Sequence, residues 1–331
     1  MQIYRGLCLV TCLVAFAPDR APAQERDAAP PKPVRCAVDS AWPQKPASCA
    51  WGAVSGIAVD ANDRVYVFHR GEPTVQIYEQ DGTLVRTWST GNPEGTHHIR
   101  LDPEGNVWVA DFRAHIVQKY SPLGAVILTL GEAGQPGCDE RHFDGPTDMA
   151  FLPNGDIFVS DGYGNRRIVH FDKQGRFIKA WGEDGTGPGQ FALPHAVAFD
   201  SQQRLYVADR NNARIQVFDT EGQLLAVWDD LIMPWGCVVT DNDELWVCGS
   251  SAVKQSGGDG WVITPPPDQV LMKLSAAGDV LLRVPLDTPV AAPGQPGAVD
   301  WVHAVAVDSQ GNIYLGDIQG RRAQKFSLCR P

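Results

Sequence analysis

Short apolar runs separated by clusters of Asp, Asn, Gly and Pro follow one another along this chain with a regular period. One segment recurs six times: an apolar strand, a tight turn, a second apolar strand, then often an acidic residue. Ile99–Asp111 (IRLDPEGNVWVAD) and Val197–Asp209 (VAFDSQQRLYVAD) show it most plainly. The other copies are Ile57–His69, Met149–Asp161, Cys237–Gly249 and Val305–Asp317. Aligning the residue that opens each turn puts Asp60, Asp102, Leu152, Asp200, Thr240 and Asp308 in one column. A third strand follows each copy, as in Ile168–Phe171 and Ile215–Phe218, and then a turn and a fourth strand ending in Trp88, Trp181 or Trp228. Four strands in each repeat of roughly 40 to 50 residues predict an all-β, six-bladed β-propeller. The sixth copy ends at Phe326-Ser-Leu328 without a fourth strand. Residues around Ala37–Trp51 are expected to supply it and to close the ring, removing an open sheet edge.

The propeller is expected to occupy residues 36–331 as a single domain. Met1–Arg5 is a short basic start, Gly6–Ala17 is apolar, and Ala21-Pro22-Ala23 offers a small-residue cleavage site, so 1–23 reads as a secretory signal. Its apolar run is too short to span a bilayer. Residues 24–35, rich in Ala, Pro and charge, read as a disordered leader. The chain is therefore expected to be periplasmic or extracellular, without a membrane span, and monomeric. A formal charge of −11 argues against nucleic acid or an anionic membrane surface as partners.

Without the signal, six cysteines remain: Cys36, Cys49, Cys138, Cys237, Cys248 and Cys329. An even count in an exported protein predicts disulfides. Cys237 and Cys248 flank a strand–turn–strand and are the first expected pair, with Cys36 and Cys49 next. No C-x-x-C pair is present, which argues against a cysteine zinc site.

The chemistry lies five positions before the turn column, where the copies carry Ser55, His97, Thr147, His195, Trp235 and His303. The first strand of each blade lines the channel, and alternate blades of six stand about 120° apart. One histidine in such a strand is ordinarily a core residue with its hydrogen bonds satisfied. Three of the chain's eight, in one column on alternate blades, instead predict three imidazoles converging on one ion with at least one open position. His98 is expected to point the other way along its strand, and His69, His115, His142 and His170 lie off the column.

Ten positions after the turn residue stand Arg70, Phe112, Gly162, Arg210, Ser250 and Ile318. Arg70 and Arg210 belong to opposite blades at one mouth of the channel. Alone, each reads as a surface arginine; paired above a histidine column, they predict an anionic ligand held by the planar guanidinium fork. Tyr163, one residue beyond this column, is a candidate general base.

Two resemblances sharpen the reading. The flank Gly189-Gln-Phe-Ala-Leu-Pro194 resembles the NHL repeat family, over about Val54–Leu328. Nearly the whole mature chain resembles the lyase half of the peptidylglycine α-amidating enzymes. The motifs are Gly134-Gln-Pro-Gly137, Pro146-Thr-Asp148, Val159–Val169 (VSDGYGNRRIV), Pro194-His195, Val207–Gln216 (VADRNNARIQ), and Phe68-His-Arg-Gly71. The resemblance implies zinc, or another divalent transition metal, on His97, His195 and His303, with Tyr163 as catalytic tyrosine and Arg70 and Arg210 as active-site arginines. It implies cleavage of a peptidyl-α-hydroxyglycine, a small-molecule or peptide substrate with a free carboxylate, to a peptide amide and glyoxylate. The family's structural calcium is not expected. Backbone positions matching Ile57 and Ile99 remain, but Ala304 stands where the family has a carboxylate. Other departures are Thr96-His97-His98 in place of Pro-His-Gly, and Gly164, Tyr206 and Val217 in place of cysteines.

Two rivals share the fold. A metal-dependent propeller lactonase would use Asp, Glu and Asn with calcium rather than histidines. A non-enzymatic NHL scaffold for a protein or glycan would bind no metal tightly. The Gly- and Pro-rich insertion Ala252–Gln269 is expected to overhang one mouth of the channel.

Overall fold

A computed structural model describes residues 35–47, 49–252, 268–288 and 295–329. The expected signal at 1–23 and most of the insertion, 253–267, lie outside the described residues. Arg35, expected to end the leader, is the first residue of a strand, β1 (Arg35–Val38).

Twenty-four strands form six four-stranded antiparallel sheets among the described residues. Blade one comprises β2 (Val54–Val59), β3 (Val65–His69), β4 (Val75–Tyr78) and β5 (Leu84–Trp88). Blade two comprises β6 (Thr96–Leu101), β7 (Val107–Asp111), β8 (Ile116–Tyr120) and β9 (Val126–Leu130). Blade three has β10 (Asp148–Phe151), β11 (Ile157–Asp161), β12 (Arg167–Phe171) and β13 (Phe177–Trp181). In blade four these are β14 (Pro194–Phe199), β15 (Leu205–Asp209), β16 (Arg214–Phe218) and β17 (Leu224–Trp228). Blade five holds β18 (Met233–Val239), β19 (Leu245–Ser250), β20 (Gln269–Leu274) and β21 (Val280–Leu286). Blade six is β22 (Val302–Val307), β23 (Ile313–Asp317) and β24 (Arg322–Cys329), completed by β1 in the order β22-β23-β24-β1.

The turn column has a physical cause. The carboxylates of Asp60, Asp102, Asp200 and Asp308 each accept backbone N–H groups two and four residues ahead, which folds the chain back between the first two strands. In the copies opened by Leu152 and Thr240 the turn is closed through backbone bonds to Asp156 and Glu244. Blades then pack face to face. Six apolar clusters each join two neighbouring blades, the last uniting Ala304, Ala306 and Tyr314 of blade six with Val54, Ile57 and Val67 of blade one. Strand β1 pairs with β24 across Arg35↔Cys329 and Val38↔Phe326. Ring closure is supplied by β1, which begins two residues before the expected region and shares only Ala37 and Val38 with it.

The disulfide expectation is corrected. Cys237 pairs with Val247 and Cys248 with Gly236, so the two cysteines sit one register step apart. Their side chains leave opposite faces of the blade: Cys237 enters the core shared with blade four and Cys248 the core shared with blade six. Both are free, buried thiols, and burial pushes the Cys237 thiol up to about 12. Cys49 is also free, so the expected Cys36–Cys49 bridge is absent.

Candidate metal centre and channel mouth

The first strands β2, β6, β10, β14, β18 and β22 contact one another around the ring and form its inner wall. In four of the six blades the pairing between first and second strand skips one residue of the first strand. Val54↔His69 is followed by Gly56↔Phe68, leaving Ser55 unpaired, and the same bulge isolates His195, Trp235 and His303. In blade two the pairing is lost between Thr96 and Ile99, so both His97 and His98 lie in the bulge. A bulge re-aims side chains out of the ordinary alternation. Here it turns the histidine column toward the axis.

The three expected histidines come together. Their ring centroids form a nearly equilateral triangle: 4.7 Å for His97–His195, and 4.8 Å for His97–His303 and His195–His303. Each ring is fixed through Nδ1 to the backbone carbonyl of the column residue on the next blade. His97 donates to Thr147 O at 2.6 Å, His303 to Ser55 O at 2.7 Å, and His195 to Trp235 O. A carbonyl oxygen only accepts, so Nδ1 carries the hydrogen and Nε2 is left with its lone pair. Burial drives all three imidazoles well below their ordinary range, assisted by charge on neighbouring histidines and arginines. They are therefore neutral, the form that ligates metal.

His98 departs from expectation. It lies inside the cluster, stacked on His303 at 5.0 Å, and its Nδ1 is 2.9 Å from His97 Nδ1 and 3.1 Å from Thr147 O. One nitrogen from each of His97, His98 and His195 can be chosen so that all three lie within 4.8 Å of one another. By nitrogen spacing, the trio is His97, His98 and His195; by ring centroids and anchoring, it is His97, His195 and His303. We favour the second, because its three rings share one anchoring scheme, whereas His98 shares an acceptor with His97. Burial, and then the charge of Arg100, lowers His98 to about 3. The sequence carries no signal for its position, because the bulge that sets it is a matter of strand register.

The donor set fits a divalent transition ion. The Nε2 atoms of His195 and of His98 are both buried without a hydrogen-bond partner among the described residues, a costly arrangement unless something ligates them. Neutral imidazole nitrogens without thiolates suit zinc, copper, iron or nickel rather than calcium or magnesium.

Tyr163 stands above the imidazoles. Its hydroxyl is 3.0 Å from His97 Nε2, and its ring meets His97 at 5.4 Å and Phe112 at 5.3 Å. The loop that carries it is held by Asp161, whose carboxylate takes the Asp144 N–H, the Asn165 amide and the Arg167 guanidinium. Gly145 gives the tyrosine room. Its φ is +77°, and a Cβ there would stand 2.7 Å from Tyr163 Cβ.

Both expected arginines reach this mouth. Arg210 is buried, lies 4.3 Å over the Trp235 ring and bonds Asn211 through Nε. Arg70 lies 5.3 Å from the Phe112 ring and donates Nε–H to Thr96 O. Burial lowers both guanidinium groups, and the Tyr163 side chain beside them offsets part of that effect. Neither forms an ion pair among the described residues, which leaves two desolvated cations facing one mouth. An open cleft of about 500 Å³, lined by Phe112, Arg113, His115, Asp144, Gly145 and Tyr163, leads away from it.

The NHL repeat family model matches residues 143–171 and 191–218. Human NHL repeat-containing protein 3 is 30% identical over 312 residues, covering 87% of this chain and 83% of its own length. Peptidyl-alpha-hydroxyglycine alpha-amidating lyase 1 of Drosophila melanogaster is 34% identical over 339 residues, covering 88% of this chain and 60% of its own. Among solved structures, a streptogramin B lyase superposes with a TM-score of 0.58 at 16% identity, covering 85% of this chain and 95% of its own, a likeness of fold alone. The chain belongs to the NHL-repeat β-propeller family of NHL repeat-containing protein 3.

Proposed function

We propose that the protein is a metal-dependent carbon–nitrogen lyase that cleaves a peptidyl-α-hydroxyglycine, or a closely related carboxylate-bearing substrate, to an amide and glyoxylate. The observation that carries this reading is the anchored imidazole triangle with a tyrosine hydroxyl on its open side. His97, His195 and His303 would hold the ion, zinc in the simplest case. When bound there it supplies Lewis-acid polarisation of the substrate's oxygens.

The chain's own residues account for the rest. Arg70 and Arg210 bring two positive charges, without carboxylate partners among the described residues, to the place where a substrate carboxylate would sit. A planar guanidinium can take both carboxylate oxygens at once. Tyr163, in its deprotonated form, takes the proton from the α-hydroxyl. The O–H electron pair becomes the new C=O bond, the C–N bond breaks, and the amide nitrogen receives the proton. Atoms and charge balance without a redox partner. The cleft beside Phe112 and Tyr163 is open and accommodates the remainder of a peptide.

Glyoxylate release from an α-hydroxyglycine-extended peptide, with and without a chelator, tests the reading. Chelator-sensitive release supports it; absence of both bound metal and glyoxylate would favour a scaffold. A second expectation concerns Gly145. Gly145→Ala places a β-carbon at positive φ, a strain of about 1–2 kcal/mol, and pushes against Tyr163. A displacement of about 1 Å can cost up to about 10²-fold in rate. Turnover is therefore expected to fall much more than the melting temperature, as a thermal melt and the same assay would show.

A further inference from the structure

Beneath the imidazoles a second set of side chains spans the channel. Arg100, three residues beyond His97 on β6, donates Nε–H to Asp148 Oδ1 at 2.9 Å and Nη2–H to Asp148 Oδ2 at 2.6 Å. The same Nη2 reaches the Cys237 carbonyl on blade five at 2.9 Å. Asp148, wholly buried on β10, also takes the backbone N–H of Val197 on blade four at 3.0 Å and that of Met149 at 2.9 Å. One ion pair thus joins four of the six inner strands. The equivalent positions on the other first strands hold the small or apolar residues Ala58, Ala150, Ala198, Val238 and Ala306, so the charged side chain is peculiar to blade two.

The places it grips are specific. Asp148 follows Thr147, whose carbonyl anchors His97. Val197 lies two residues after His195, and Cys237 two residues after Trp235, whose carbonyl anchors His195. Stability alone does not demand a charged pair here, because well-packed apolar residues are often as stabilising as a buried ion pair. A bidentate fork does what apolar packing does not: it fixes the distance and direction between strands at each contact.

We propose that Arg100 and Asp148 are positioning residues that set the spacing of the carbonyls holding His97 and His195, and through them the geometry of the metal centre. The metal part of this rests on the functional reading above; the effect on the imidazoles does not. Removing Arg100 alone strands a buried carboxylate, so the informative variant is the charge-neutral Arg100→Met/Asp148→Asn pair. Long-range ¹H–¹⁵N spectra of the metal-free protein report which ring nitrogen carries hydrogen, and Co²⁺ titration followed by visible absorption reports affinity.

In the wild type, His97 and His195 are expected to show locked Nδ1–H signatures. In the double variant these signatures should average, and Co²⁺ affinity should fall about 10- to 100-fold, with the far-ultraviolet circular dichroism unchanged. Locked signatures in a folded double variant would overturn the proposal, as would unchanged Co²⁺ affinity. If the double variant does not fold, Arg100→Lys keeps the charge without the fork, and a several-fold loss of Co²⁺ affinity is expected; wild-type affinity there would overturn the proposal. A wild type that takes up no Co²⁺ would sink the metal reading, and the ring spectra would still decide the role of the pair.

Discussion

His195→Ala is expected to abolish stoichiometric metal binding and to lower glyoxylate release at least about a thousandfold, close to 4 kcal/mol of lost transition-state stabilisation. Among the three column histidines, His195 offers the cleanest test. Its Nδ1 is committed to Trp235 O, and its Nε2 is buried without a partner among the described residues. Alanine removes the ligand and leaves the Trp235 carbonyl without its donor, a cost to the fold of about 1–3 kcal/mol. The two effects are separable. A thermal melt should shift by several degrees while metal content, read by elemental analysis after gel filtration, drops to background. Full metal occupancy in a folded His195→Ala protein would rule out the proposed ligand set. Expected losses for His303→Ala are similar, since its ring is anchored in the same way on Ser55. His98→Ala should be milder if the centroid triangle is the true ligand set. A loss equal to that of His195→Ala would instead favour the trio defined by nitrogen spacing.

Much of this arrangement was legible before any coordinates because a propeller converts sequence period into angle. Aligning six turns put His97, His195 and His303 in one column, and alternate blades do the rest. The aspartates that opened four of those turns were legible for the same reason: a side chain that closes its own turn leaves a local mark. Tyr163 and the two arginines were legible as positions relative to that column and through family motifs. What was not legible depended on register. Cys237 and Cys248 look like a bridged pair until the pairing of β18 with β19 places them on opposite faces of the blade. Strict alternation would turn His98 away from the axis, but the strand is bulged at that point. Arg100 is not legible as a structural residue, since an arginine on a strand reads as a solvated side chain and its partner lies 48 residues away. Periodic features are written in the sequence; a one-residue slip between strands is not.

The tyrosine gives the sharpest discrimination between a lyase and a metal-binding scaffold. Tyr163→Phe removes one oxygen and keeps the ring that packs on His97 and Phe112, so the loop fixed by Asp161 and the cleft beside it should persist. The lost contact is the hydroxyl 3.0 Å from His97 Nε2, a partly buried bond whose removal costs the fold about 1 kcal/mol. A positioned general base contributes about 10²- to 10⁴-fold to rate. The expected result is therefore a kcat lowered by at least about 10²-fold, with KM changed little and metal content intact. That split matters. A purely structural tyrosine would move stability and KM together, and a tyrosine that held the ion would lower metal occupancy. Because Arg70 and Arg210 remain in place, carboxylate binding should survive, and a competitive carboxylate inhibitor should bind the variant as it binds the wild type. Full glyoxylate release from Tyr163→Phe would remove the tyrosine from the chemistry and leave the arginines and the ion to carry it.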